Sequence, residues 1–133
     1  MMADGRQDIS GRGPSQQWRA LVWSVQGLLT TFRLESSFRT EVYASLLLLP
    51  AALWFGPTPL TKALLVGTVL LLLLTELLNS AIEQVVDHIS PDYAVFAGRA
   101  KDMGSAAVLL SILNLLVVWT AVLGPHFYSW ASR

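Results

Sequence analysis

Between Thr75 and Ile89 the chain reads TELLNSAIEQVVDHI, setting Glu76, Asn79, Ser80, Glu83 and Asp87 among Leu, Ile and Val. At ~100° per residue, Asn79, Ser80, Glu83 and Asp87 fall at about 300°, 40°, 340° and 20° from Glu76. A helix here therefore carries one polar stripe along three turns, and its other faces are apolar. An ionised carboxylate at bilayer depth costs roughly 2.5–3.5 kcal/mol or more unless it is paired, metal-bound or solvated. The stripe must meet other protein, water or cations. Glu76 and Glu83 sit about 10 Å apart along the axis, too far to share one ion side by side. Each can serve a separate role, one at the membrane depth of a substrate and one nearer the cytoplasm. Proton acceptance and cation binding are the chemistries that such acids perform, and the same pattern marks a proton relay or ion path. Asp87 falls near the water interface as a solvated acid, and the Ser80 hydroxyl can bond back into its own helix.

Two further groups could join the stripe. Glu35 and Glu41 lie in RLESSFRTE just before an apolar run. Glu41 is most simply an acid favoured by the dipole of a helix start. Glu35 is either the same or a metal ligand from a second element. Mg²⁺ takes oxygen ligands, keeps several waters, and is held by one or two carboxylates plus substrate phosphates. The run FAGRAKDMGSAA (96–107) reads as a loop passing into a helix, with Arg99 and Lys101 at its head. Lys101 is a snorkelling anchor or, with Asp102, a phosphate clamp. Gly104, Ser105, Ala106 and Ala107 are small enough for close helix packing. There is no Cys, and His88 and His126 are the only two histidines, so thiolate chemistry and a three-His metal site within one chain are excluded. No GxxxxGK[ST] loop occurs.

The elements that carry these residues are greasy. Of 133 residues, 53% are hydrophobic and 14% charged, the net charge is zero, and the mean hydropathy is +0.52. Soluble domains run near ~25% charged. This composition speaks against a nucleic-acid binder, which wants a basic surface, and against disorder. Residues 42–61 and 103–132 contain no charge, and an apolar pattern runs from Ala63 past Glu76 to Val86. Each reaches the roughly 17–25 residues that a membrane span needs. A soluble bundle is disfavoured because residues 105–123 offer no polar face. Gly56-Pro57-Thr58-Pro59 and Ser90-Pro91-Asp92 break the spans, with Ser90 or Asp92 able to cap the third, and Pro50 kinks the first. Arg6, Arg12, Arg19, Arg33, Arg39, Arg99 and Lys101 lie on one side, Lys62 and Arg133 on the other. The positive-inside bias then puts the N-terminus and second loop in the cytoplasm. From Trp18, residues Leu21, Val22, Val25, Leu28, Leu29 and Phe32 share one helix face, which describes an amphipathic helix lying in the interface. Residues 1–15 form a polar tail without the apolar core of a signal peptide. The expected fold is an all-α membrane protein. After the tail, a single domain (16–133) comprises a surface helix (about 16–34) and three transmembrane helices (about 40–56, 60–88 and 101–124).

TELLNSAIEQVVDHI (75–89), GRAKDMGSAAV (98–108) and LESSFRTE (34–41) together resemble the signature of prokaryotic diacylglycerol kinases, and the similarity runs over roughly 16–128. The resemblance implies a small integral-membrane kinase of the bacterial inner membrane. It implies a homotrimer with active sites at subunit interfaces by the cytoplasmic surface. Such enzymes move the γ-phosphoryl of ATP to a lipid primary hydroxyl with Mg²⁺. Carried onto this sequence, the resemblance makes Glu76 the base, Glu35 and Glu83 the metal ligands, and Asn79, Lys101 and Asp102 the residues that position phosphates and acids. It also implies ATP contacts at Trp23, Asp92 and Tyr93, and lipid contacts at Phe38, Arg39, Ser105 and Trp119. The chain departs from familiar members at Gln16, where some carry Arg, at Trp23, where Tyr is familiar, and at Ala94, where His occurs. Relatives act on diacylglycerol or on undecaprenol, and the motifs look closer to the first branch, whose product is phosphatidic acid. A proton- or ion-conducting membrane protein is the alternative of another class. It predicts Glu76-dependent flux without ATP.

Overall fold

The computed structural model describes residues 14–89 and 95–131, and these are helical almost throughout. Four helices run in order: α1 (Pro14–Leu34), α2 (Ser36–Phe55), α3 (Pro59–Ile89) and α4 (Val95–Ala131). The chain is an all-α membrane protein. Among the described residues, α3 and α4 are long and apolar enough to cross a membrane. α2 has 20 residues but opens on the polar SSFRTE, which shortens its apolar run.

Local chemistry sets the breaks. At Glu35 the backbone turns extended (φ −101°, ψ 117°) and separates α1 from α2. The Arg39 guanidinium reaches back to the Phe32 and Arg33 carbonyls at 3.3 and 2.8 Å, satisfying acceptors that the end of α1 leaves open. Between α2 and α3 the turn is tight. A Cβ at Gly56 would lie 2.5 Å from Lys62 Cγ and 2.7 Å from the Ala52 carbonyl oxygen, so the approach requires glycine. Thr58 then caps α3 reciprocally. Its N–H donates to Thr61 Oγ1 at 2.9 Å and its own Oγ1 accepts the Thr61 N–H at 3.2 Å. Pro59 stands at the first helical position, where its missing N–H costs nothing.

α3 is the middle layer, packed on one side by α2 and on the other by α4. Ala52, Leu65 and Leu123 form the buried centre of the half opposite the acids, flanked by Val66, Val118, Trp119 and Val122. Along the apolar part of the seam, hydrogen bonds from Trp119 Nε1 to Thr68 Oγ1 (3.0 Å) and from Thr75 Oγ1 to Ser111 Oγ (2.9 Å) tie α3 to α4. Hydroxyls of this kind hold membrane helices together where hydrophobicity gives no preference for protein over lipid. The outer faces are bare Leu, Val and Trp, with Trp54 83% exposed, as befits a surface that lipid covers. On α1, Trp18, Leu21, Val22, Val25, Leu28 and Leu29 are all uncovered.

The helices outrun the expected spans because a helix does not stop where the hydrocarbon does. The largest correction is at 96–107, expected to pass from loop to helix. It is helix throughout, within an α4 that starts at Val95 and continues through Pro125 to Ala131. Ala97 is buried there and Gly104 lies against α3, so packing holds the first turns in register. The proposed caps Ser90 and Asp92, and the tail 1–13, lie outside the described residues.

Candidate active site

The polar stripe of α3 faces inward at its membrane end and outward at its tip. Glu76, Asn79 and Ser80 are buried, with Glu76 only 4% exposed. Glu83 is half-buried and Asp87 exposed. Asn79 donates through Nδ2 to Glu83 Oε1 at 3.2 Å, one turn further on. Its Oδ1 is buried without a hydrogen-bond partner and lies against Gly104 of α4, where an added methyl group would collide with it.

Acids from the α1–α2 region close on this stripe. Glu35 leaves the N-terminus of its own helix uncapped, and its Oε1 instead accepts a 3.1 Å hydrogen bond from Gln84 Nε2 of α3. Glu41, expected in the first turn of α2, lies in the second and turns to α3, so it does not serve the helix dipole. Its Oε2 is buried without a partner. Glu76 stands within electrostatic reach of Glu35, Glu41 and Glu83 together. Four like charges in partial burial call for counter-charge, a proton or a cation.

Other residues singled out in the sequence are distributed unevenly. Lys101 pairs with Asp87 at 2.8 Å, so Asp87 is not a lone solvated acid and Lys101 is more than a lipid anchor. Asp102 and Ser105 are exposed on α4, and the small residue that packs closely is Gly104. Phe38 is buried, while Arg39 closes the end of α1. Trp23 lies on the uncovered part of α1. Trp119 is set apart: its partner Thr68 precedes Glu76 by eight residues, about 12 Å along α3. Asp92 and Tyr93 lie outside the described residues. Sequence reasoning passed over Gln84, placed Gly104 at a close helix contact without naming Asn79 as what it meets, and gave Glu41 a merely local role. Of Gln84 and Glu41, only Glu41 carried a signal, an acid at the head of an apolar helix.

The donor set suits Mg²⁺. Glu35 and Glu83 offer hard carboxylate oxygens, and in each an amide of α3 holds Oε1, which leaves Oε2 for a cation. Among the described residues no group of three or more His, Asp or Glu could hold a metal unaided. A cleft of about 460 Å³ opens beside the site between α3 and α4, lined by Leu78, Asn79, Ile82, Met103 and Gly104 among others. A second cavity of about 410 Å³ lies among Trp54, Phe55, His126 and Phe127, at the other end of the helices and away from the acids.

Residues 22–123 match the family model for prokaryotic diacylglycerol kinase. The chain belongs to that family. It is 43% identical over 109 residues to a diacylglycerol kinase of Escherichia coli (strain K12), covering 82% of this chain and 89% of the relative. A diacylglycerol kinase of Haemophilus influenzae is 40% identical over 101 residues, 76% of this chain and 86% of its own length. One from Helicobacter pylori is 31% identical over 118 residues, 89% and 92% of the two chains. The apolar helices and the family together make the chain a bacterial membrane enzyme with kinase activity. The match spans α1 from Val22, the acids of α2 and α3, and α4 as far as Leu123.

Proposed function

We propose that this chain transfers the γ-phosphoryl group of ATP to the primary hydroxyl of diacylglycerol, giving phosphatidic acid, with Glu76 as the general base. The supporting observation is the near-complete burial of Glu76 on an apolar helix, within electrostatic reach of Glu35, Glu41 and Glu83. Glu76 lies in the interior of α3, beyond its apolar first half, at a level that a lipid hydroxyl reaches by lateral diffusion. Glu76 takes the hydroxyl proton as that oxygen bonds to the γ-phosphorus. The bond from phosphorus to the bridging oxygen breaks, and ADP leaves with the electron pair.

Glu35 and Glu83 hold the cation, which when bound neutralises charge on the transferring phosphate. Asn79 sets the carboxylate of Glu83 through its 3.2 Å hydrogen bond. Lys101 and Asp102 position the phosphates, and Lys101 reaches them by leaving Asp87, a partly exposed partner that holds it only weakly. Trp23, Asp92 and Tyr93 belong to the nucleotide side, and Phe38, Arg39, Ser105 and Trp119 to the lipid side. α2 crosses the bilayer with α3 and α4, the N-terminus faces the cytoplasm, and the uncovered apolar face of α1 is met by lipid and by neighbouring copies in a homotrimer of the inner membrane.

The test is direct. Pure protein in mixed micelles with labelled ATP and Mg²⁺ should label diacylglycerol, without any ion gradient. Undecaprenol offered in parallel should accept much less label. Label on undecaprenol alone would reassign the acceptor, and Glu76-dependent ion flux without phosphoryl transfer would replace the kinase mechanism altogether.

A further inference from the structure

Glu35 occupies the extended residue between α1 and α2, the position from which a side chain ordinarily caps the next helix. It does not do so. Its carboxylate crosses to α3 and accepts from the amide of Gln84, 49 residues away in sequence. Gln84 directly succeeds Glu83 and lies about 100° round the helix from it, on the flank of the acidic stripe. Asn79 does for Glu83 what Gln84 does for Glu35, donating one amide N–H to Oε1. The two carboxylates thus share a device: an amide from α3 holds one oxygen and leaves the other.

The bond is exposed, so its contribution to folding is small. α2 and α3 are already joined through Ala52 and Leu65, both fully buried in one cluster. Fixing one carboxylate rotamer, by contrast, acts directly on cation affinity, because a free carboxylate must give up its rotational freedom when it binds.

We propose that Gln84 is a positioning residue for Glu35, holding its carboxylate against α3 by one oxygen so that the other is presented to the divalent cation. The inference rests on Glu35 as a cation ligand.

The experiment monitors Mn²⁺ binding by electron paramagnetic resonance in the full-length protein with ATP, comparing wild type, Gln84→Leu, Glu35→Ala and the double variant. Gln84→Leu should weaken Mn²⁺ binding by about threefold to tenfold, toward the low end for an outer partner because the bond is exposed. The thermal midpoint and the KM for lipid should stay unchanged. In the Glu35→Ala background the Gln84→Leu change should add nothing, since its target is gone. Wild-type Mn²⁺ affinity in Gln84→Leu, or an equal further loss on the Glu35→Ala background, overturns the proposal. If Glu35→Ala weakens Mn²⁺ binding and Gln84→Leu does not, only Gln84 loses its role. If Glu35→Ala itself binds Mn²⁺ normally, the assignment of Glu35 falls and takes this one with it.

Discussion

The two halves of the α3–α4 seam are built on opposite rules. In the half around Leu65 Trp119 meets Thr68 and Ala52, Leu65 and Leu123 close the gaps, while the Thr75–Ser111 bond marks the boundary with the acids. In the half around Glu76, Asn79 Oδ1 and, on the α2 side, Glu41 Oε2 are buried without hydrogen bonds, and four carboxylates repel one another. A half optimised for folding would not tolerate such groups, since each unmet buried polar atom costs about 1–3 kcal/mol. Stability is concentrated at one end of the helices, and the groups able to bind and react are concentrated at the other.

The contrast can be broken at either end. Glu76→Gln should lower turnover by ~10²–10⁴-fold, the range for a lost general base, while nucleotide binding holds and the thermal midpoint stays or rises as a buried like charge is removed. Near-normal lipid phosphorylation by that variant would remove Glu76 as base. Leu65→Ala, in the other half, should reduce stability by about 2–5 kcal/mol in detergent, with turnover per folded molecule unchanged. Gly104→Ala drives a methyl group into Asn79. It should cost about 1–3 kcal/mol of strain and should also cut activity, because the displaced amide releases Glu83. Glu41→Gln should go the other way in stability, gaining about 1 kcal/mol by removing a buried like charge, yet lose activity. Stabilisation by a single polar change is expected only at the acidic end. Smallest of all, Thr68→Val should cost about 0.6 kcal/mol, the average for a hydrogen bond between membrane helices, with no effect on turnover.

Much of this was legible along the chain. An apolar helix with acids at positions 76, 83 and 87 is visible at a period of 3.6, and the turn residues Gly56, Pro57 and Pro59 mark the break between α2 and α3. The run 96–107 was less legible, because Gly98, Arg99 and Lys101 look like a loop in a chain where loops carry the charge. Its helicity depends on Ala97 and Gly104 finding α3. Glu41 looked like an N-terminal acid because nothing in RLESSFRTE shows that the α1–α2 break falls at Glu35, one turn too early for Glu41 to serve the dipole.

The sequence alone determined that this protein lives among lipid tails and that acids line one face of its central helix, since both arise from composition and helical period, which are properties of neighbouring residues. Tertiary structure alone decided that Glu35 answers to Gln84, that Glu41 turns toward Glu76, that Lys101 pairs with Asp87, and that Gly104 presses on Asn79. Those four meetings depend on the heights and angles at which helices cross, and crossing geometry is set by the summed packing of whole faces, which no local stretch of residues encodes.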